Sequence, residues 1–207
     1  MRFYDISMTI EPSMTVYKNK DSKRPHFLQS ASFDQQGVYE TDLHVNLHTG
    51  THVDFPLHTI PGGSTSSQER LEDFYGACKV FDFTHLVDHI SRDDLEKVAI
   101  EKGDFILFKT RNSFVEPFDF DFVYLDKTGA EYLKEKAIRG VGIDTLGIER
   151  NQANHPTHDL LLGNGIYILE GLRLALVESG EYTLVALPLK IKDVEASLVR
   201  AILIEKE

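Results

Sequence analysis

The chain has 207 residues, of which 42% are hydrophobic and 27% are charged. This composition is typical of a folded globular protein and excludes disordered, collagenous and coiled-coil proteins. The length favours a single domain over residues 1–207. A net charge of −11 has the wrong sign for holding a phosphate backbone, so nucleic acid is not expected as a partner.

The cysteine count and the amino terminus bear on the compartment. Cys78 is the single cysteine, so an intrachain disulfide is excluded and a reducing compartment is favoured. Asp5 and Glu11 precede any apolar stretch long enough for a signal peptide. Since no run of about 18 apolar residues occurs, we expect a soluble, cytoplasmic protein without membrane contact.

Strand-like segments dominate the chain. The segments rich in β-branched or aromatic residues are Phe3–Ser7, Val38–Leu47, Lys79–Phe83, Phe105–Thr110, Val141–Asp144, Ile166–Glu170, Thr183–Leu187 and Leu198–Ile204. Helices are predicted over Leu95–Ile100 after a Ser91 cap, over Gly129–Ala137 after Thr128, and over Pro156–Leu162. The order predicts an α/β or α+β protein with a mixed, strand-rich sheet.

Histidines cluster in one segment. Four of the nine lie between His44 and His58, and the polar residues there occupy even positions: His44, Asn46, His48, His52, Asp54 and His58. In an extended chain these side chains share one face, while the odd positions form an apolar face for the core. The segment is therefore expected to pack on one side and to present ligands on the other.

A straight strand cannot bring His48 and His52 to one metal ion. It would separate them by about 13 Å, whereas each must lie about 2.0 to 2.1 Å from the ion. A bend at Gly50 resolves this, because glycine adopts backbone angles that other residues avoid. The alternative is a zincin-type helix, but Thr49 replaces the required Glu, and Gly50 and Pro56 disfavour a helix.

Imidazoles and carboxylates are ligands of zinc and other divalent first-row ions, and an Asp can bridge two ions. His48, His52 and Asp54 supply such a set, although histidines on a polar sheet face can also be purely structural. Glu170 ends an apolar strand and needs a positive partner or solvent there. His155 and His158 are equally explained by the start of a helix.

At this point the sequence shows a resemblance. The segment His48-Thr-Gly-Thr-His52-Val-Asp54-Phe-Pro-Leu-His58 resembles the His-x-Gly-Thr-His-x-Asp-x-Pro-x-His signature of the metal-dependent cyclase/hydrolase family that includes bacterial kynurenine formamidases and isatin hydrolases. Similarity continues at Gly142–Asp144, at His158 with Glu170, and towards the carboxyl terminus.

The resemblance implies a swivelling β/β/α fold, a homodimer, and one or two divalent ions. It implies that the ion ligands are His48, His52, Asp54, His158 and Glu170, with Asp54 as the bridge. It also implies that His58 is the catalytic acid/base. Zinc is expected, with manganese as the alternative, and no nucleotide cofactor is indicated because no Gly-rich phosphate loop occurs.

These ligands predict metal-assisted hydrolysis of a small-molecule amide, since a divalent ion lowers the pKa of water towards neutrality. The resemblance favours an aryl formamide, with N-formylkynurenine of tryptophan catabolism as the leading candidate. A cyclase, a lactonase, an isatin-type hydrolase and a non-catalytic metal-binding protein stay as alternatives. Thr59, where the family often has an aromatic residue, and the absence of Trp leave the substrate open, and His44 and His155 are left as outer partners of the ligands.

Overall fold

The structure is a computed structural model that describes residues 1–205. Its strands are β1 (Phe3–Asp5), β2 (His26–Ala31), β3 (Glu40–His44), β4 (His52–Asp54), β5 (Tyr75–Asp82), β6 (His89–Ile90), β7 (Phe105–Lys109), β8 (Tyr124–Leu125), β9 (Gly140–Ile143), β10 (Tyr167–Glu170), β11 (Gly180–Val185), β12 (Ala196–Leu198) and β13 (Ile202–Glu205). Its α-helices are α1 (Phe33–Gln36), α2 (Arg92–Leu95), α3 (Lys127–Lys136) and α4 (Pro156–Leu162).

Nine strands form one mixed sheet in the order β1-β13-β11-β5-β7-β9-β10-β4-β12. The central strands β5, β7, β9 and β10 run parallel, and the strands on either side pair antiparallel. The residues of β7, β9 and β10 are all buried, as expected for parallel strands that are covered on both faces.

The sheet curls back on itself. Strands β12 and β13 lie at opposite ends of the sheet order, yet only residues 199–201 separate them along the chain. Because each residue spans at most about 3.6 Å, the two ends of the sheet must approach each other. Residues 199–201 also bond across this gap: Val199 N donates to Thr51 O at 3.1 Å, and Ile6 N donates to Ala201 O at 3.0 Å.

Alternate side chains of the central strands enter two different cores. Phe105 and Leu107 pack with the apolar residues of β4 and β11, whereas Ile106 and Phe108 pack with residues of α2, α3 and α4. This alternation follows from the period of two residues in a strand. The sheet therefore has an inner face inside the curl and an outer face covered by helices.

The expected α/β architecture with one mixed, strand-rich sheet is confirmed. Most predicted strands are shifted at their ends, as Lys79–Phe83 is to β5 and Thr183–Leu187 to β11, and two need a larger correction. The predicted strand over Val38–Leu47 is limited to β3, which pairs with the unpredicted β2 in a separate two-stranded sheet. The predicted strand over Leu198–Ile204 is divided into β12 and β13, because the chain crosses there between the two ends of the sheet.

The helix predictions also need correction at their boundaries. Ser91 forms the predicted capping box with Asp94, but α2 is a single turn that ends at Leu95 instead of extending to Ile100. Helix α3 begins before Gly129, since the side chain of Asp126, and not Thr128, accepts from Gly129 N at 2.8 Å. Among the described residues, no helix has the length and apolar character needed to cross a membrane.

Candidate metal centre

Two neighbouring strands present three metal-type ligands on the outer face of the sheet. In the antiparallel pair of β4 and β10, His52 lies opposite Glu170 and Asp54 lies opposite Ile168. Directly paired residues point to the same face, so His52, Asp54 and Glu170 converge while Val53 enters the inner core. All three ligand side chains are buried.

A turn brings His48 to the same place. Asn46 organises it, because its side-chain oxygen accepts from His48 N at 3.0 Å and its carbonyl accepts from Thr49 N at 3.0 Å. Gly50 then adopts a φ of +70°, in the region that favours glycine. As a result His48 Nδ1 lies 3.0 Å from Asp54 Oδ1 and 3.3 Å from His52 Nε2.

The extended face predicted from His44 to His58 is therefore wrong in detail. Only residues 52–54 form a strand in its ligand-bearing part, and Pro56–His58 is a turn of 3₁₀-helix. The predicted bend around Gly50 and the rejection of a zincin helix are both confirmed. His44 lies in β3 opposite His26, on the separate two-stranded sheet, and does not line the cavity at the metal centre.

Helix α4 and the 3₁₀ turn complete the cluster. His158 Nε2 lies 3.6 Å from Glu170 Oε1 and 3.9 Å from Asp54 Oδ2. The His58 ring lies with its centroid 4.3 Å from that of His48 and 5.5 Å from that of His158. Asp54 thus has one oxygen towards His48 and His52 and the other towards His158.

Two carboxylates that the sequence did not indicate hold the histidines from outside. Glu195 Oε1 lies 3.2 Å from His48 Nε2, and Glu149 Oε1 lies 3.5 Å from His158 Nδ1. The Glu149 carboxylate also accepts from Thr157 N at 2.8 Å and contacts His155 Nδ1 at 2.7 Å. No short motif marks either residue, since Glu195 is 147 positions from its partner.

The donor set fits a cation. His52 Nδ1 donates to Gly50 O at 2.9 Å, which leaves the lone pair of Nε2 facing inward. When His48 Nε2–H donates to Glu195, the lone pair of His48 Nδ1 also faces inward. Both oxygens of Asp54 are buried and accept no hydrogen bond from the described residues. Several electron-pair donors therefore meet in one buried place, which costs free energy unless protons on the histidines or a metal ion join them.

The electrostatics agree with this geometry. Burial opposes the charge of Asp54, yet the surrounding histidines hold its carboxyl pKa well below the usual range. Burial lowers the pKa of His158, but the carboxylates of Glu149, Glu170 and Asp54 outweigh burial and raise it to about 10. His58 differs, since burial lowers its pKa, and the effects of His48 and His158 in the same direction outweigh the opposing carboxylates of Asp54 and Glu170.

Comparisons with known proteins identify the family. The sequence profile of the Cyclase family matches residues 4–150, which is more than half of the chain. The chain belongs to the Cyclase family. It is also 31% identical to a kynurenine formamidase of Salinibacter ruber, over 98% of this chain and 97% of the relative.

Solved structures of similar fold agree with the Cyclase assignment. A structure described as a potential metal-dependent hydrolase with cyclase activity is 45% identical, with a TM-score of 0.93 over 100% of this chain and 98% of its own. Isatin hydrolase A from Labrenzia aggregata, bound to benzyl benzoate, is 25% identical with a TM-score of 0.85, over 99% of this chain and 94% of its own. The fold described above is thus shared with both of these structures.

A cavity of about 370 Å³ opens beside the cluster. A volume of this order suits a small molecule with a single aromatic ring. Its walls combine the histidines and Glu170 with an apolar and a basic side, formed by Tyr17, Lys18, Lys23, Leu146 and Gly147. Three members of the donor set, His48, His158 and Glu170, therefore line a cavity large enough for a substrate, while His52 and Asp54 are buried next to them.

Proposed function

We propose that the protein is a metal-dependent hydrolase that cleaves the carbon–nitrogen bond of an aryl formamide of the N-formylkynurenine type. The observation that carries this proposal is the buried carboxylate of Asp54, which accepts no hydrogen bond from the described residues and lies among His48, His52 and His158. His48, His158 and Glu170 of the same cluster line the cavity. The similarity to kynurenine formamidases over nearly the whole chain supports the choice of substrate. If N-formylkynurenine is the substrate, the enzyme acts in tryptophan catabolism.

In this proposal the ligands form two overlapping groups that share Asp54. His48, His52 and Asp54 would hold one divalent ion, and Asp54, His158 and Glu170 would hold a second. Zinc is the proposed metal and manganese the alternative, since imidazole and carboxylate donors suit both. The outer carboxylates Glu149 and Glu195 would orient the histidines and strengthen them as ligands.

When bound, a divalent ion lowers the pKa of water and polarises the substrate carbonyl oxygen. The protein then has to handle the protons. His58 lies beside His48 and His158 without being held by a carboxylate within ion-pair distance in the described part of the chain. Because burial lowers its pKa, His58 is neutral at pH 7, accepts a proton from the attacking water and returns it to the leaving amine.

The remaining walls orient the substrate. Tyr17 and Leu146 provide a flat apolar surface on which an aryl ring can lie, with the formamide directed towards the floor of the cavity. Burial raises the pKa of the Tyr17 hydroxyl, and the negative charges of Glu170 and Glu149 add to this effect. Tyr17 is therefore neutral in the working enzyme and acts as a wall and a hydrogen-bond donor.

We also propose a homodimer that forms through the small β2–β3 sheet and α1. This region exposes a group of large apolar side chains with relative exposures between 44% and 70%, namely Phe27, Leu28, Phe33, Val38, Tyr39 and Leu43. Large apolar side chains exposed together in one small region are typical of a protein interface. Sedimentation equilibrium tests the dimer, and a monomer at micromolar concentration would contradict it.

Two further expectations are kept as part of the proposal. One catalytic domain over residues 1–207 is supported by the pairing of β1 with β13, which joins the two ends of the described chain in one sheet. A cytoplasmic location is supported by the single cysteine, Cys78, which is buried in β5. Fractionation of the native host tests the location.

A substrate screen tests the activity. The metal-loaded protein is assayed with formanilide, N-formylkynurenine, isatin and simple lactones, and His85→Ala serves as a control variant with an exposed histidine outside the cavity. We expect turnover of the formamides. Turnover of isatin alone would favour the isatin-type reaction, in keeping with the isatin hydrolase neighbour, and no turnover of any amide would contradict the proposal.

A further inference from the structure

One cation of the cavity is not used by the proposed chemistry. Lys23 ends the 3₁₀ turn Asp21–Lys23, is half-buried, and lines the same cavity as His48 and His58. Its ammonium lies 5.7 Å from the centre of the Tyr17 ring. Within residues 1–205, no carboxylate lies within the 4.0 Å of an ion pair with Lys23.

The backbone of Lys23 is hydrogen-bonded to the turn that carries His48. Its carbonyl oxygen accepts from the Thr49 hydroxyl at 2.7 Å, and Thr49 is buried directly between His48 and Gly50. The position of Lys23 relative to the donor set is therefore built into the fold. A half-buried ammonium in such a place costs free energy unless an anion meets it.

Carboxylates beyond ion-pair distance, those of Glu170, Asp54 and Glu195, offset the burial of this cation only in part. The chain carries a net charge of −11, so an anionic small molecule would be repelled over most of the surface. Two cations meet at Tyr17, because Lys18 lies 5.2 Å from the ring centre and Lys23 5.7 Å from it. Divalent ions held by Asp54 and Glu170 would add positive charge on the same side of the cavity.

We propose that the ammonium of Lys23 binds a carboxylate on the substrate, so that the pocket prefers formamides of anionic arylamines to neutral ones. This specificity rests on the proposed function, because it concerns the same cavity. Tyr17 would contact the aryl ring next to that carboxylate, and the formamide would face the donor set. Metal ions would attract carboxylates in every variant. A preference that is lost only when Lys23 is replaced is therefore due to Lys23 and not to the ions.

Binding and turnover together test this inference. Calorimetry on the metal-loaded protein compares anthranilate with its neutral analogue anthranilamide, and steady-state kinetics compare N-formylanthranilate with formanilide. Lys23→Gln is compared with Lys20→Gln, which removes the same charge from an exposed neighbour outside the cavity. Metal content per chain is measured for each variant, so that loss of ions is recognised.

We expect Lys23→Gln to weaken anthranilate binding by about 10-fold to 100-fold, the range for losing a hydrogen bond to a charged group. The Kd of anthranilamide and the kcat/KM of formanilide should stay within about twofold, as should both Kd values in Lys20→Gln. Lys23→Arg should restore most of the affinity for anthranilate. In the kinetics, the loss for N-formylanthranilate should be in KM.

An unchanged preference for anthranilate over anthranilamide in Lys23→Gln, at full metal content, would overturn the inference and leave formamide hydrolysis standing. Conversely, a wild type that hydrolyses no formamide, N-formylkynurenine included, but binds anthranilate through Lys23 would refute the proposed function and support the anion site. The two failures are thus distinguishable.

Discussion

Two aspartates of this protein are equally buried but have opposite surroundings. Asp144, at the end of β9, accepts hydrogen bonds from Thr110 N at 2.7 Å, from the Ser113 hydroxyl at 2.6 Å, and from three further donors of the same loop. Asp54 accepts none from the described residues and instead faces three histidines. Both are within 1% of full burial.

A buried carboxylate that the protein itself hydrogen-bonds can therefore be distinguished from one that needs a cation. A buried charge must be matched, and at Asp144 the protein itself supplies the donors, which fix the loop after β7 to the end of β9. At Asp54 the protein supplies only further electron-pair donors and histidines. Such an arrangement is stable only with protons on the histidines or with a cation among them.

Replacing His58 should have the largest effect, and it should distinguish the histidine that transfers protons from the histidines that bind metal. His58→Ala should lower kcat by about 10²-fold to 10⁴-fold, the usual contribution of a general acid/base, while the metal content per chain stays at the wild-type value. Kinetics and mass spectrometry on the same samples check this. Loss of metal together with activity would mean that His58 is a ligand, in keeping with the closeness of its ring to His48 and Asp54.

Asp144→Ala tests the aspartate whose carboxylate is hydrogen-bonded by the protein itself. It leaves the backbone N–H of Thr110 and the hydroxyl of Ser113 without an acceptor, and we expect a loss of about 3 kcal/mol in the free energy of unfolding. Urea denaturation of the metal-free protein measures it. A loss below about 1 kcal/mol would show that the loop does not depend on Asp144.

Glu149 and Glu195, the carboxylates that contact the histidines from outside, allow the metal affinity to be lowered by degrees. Glu149→Gln keeps the shape but removes the charge beside His158, and we expect metal affinity to fall by about 10-fold to 100-fold. Glu195→Gln is the matched comparison and should have a smaller effect, because the Glu195 side chain is 38% exposed. Competition with a chelator gives both affinities, and equal values for Glu149→Gln and wild type would contradict the role of Glu149.

The smallest effect is a pH dependence of stability between pH 5 and pH 7 that Asp144 should show and Asp54 should not. Burial raises its pKa to about 6, and the hydrogen bonds only partly offset this. Because the folded value exceeds the unfolded one, the stability contributed by the proton is complete below about pH 4 and is lost as the pH rises through 6. Relative to Asp144→Asn, the metal-free wild type should gain about 1 kcal/mol between pH 7 and pH 5. A constant difference between these pH values would contradict the raised pKa.

Much of the candidate site could be predicted from local sequence. His48, His52, Asp54 and His58 lie within eleven positions, and the structure brings them together with His158 and Glu170. The strand prediction was wrong where contacts between residues distant in sequence determine the path of the backbone. Positions 44–58 alternate like one strand, but the turn before Gly50 is packed against Ile10 and Met14, so the chain folds back instead of extending.

Other features have no local signal at all. The break within the predicted strand Leu198–Ile204 depends on the closing of the sheet around residues 199–201. Glu149 and Glu195 are ordinary acidic residues in the sequence, and only the fold places them against His158 and His48. Lys23 is likewise an ordinary basic residue in the sequence, and the hydrogen bond between its carbonyl and Thr49 places it beside the donor set.

The most direct measurement is the metal content per chain, by mass spectrometry, of protein purified without an affinity tag, for wild type and Asp54→Asn. We predict between one and two equivalents of zinc or manganese in the wild type and a sharp loss in the variant. Circular dichroism should show the variant folded, because the Asp54 carboxylate accepts no hydrogen bond from the described residues. A metal-free wild type, even after incubation with each ion, or a variant that retains its metal would contradict the metal centre.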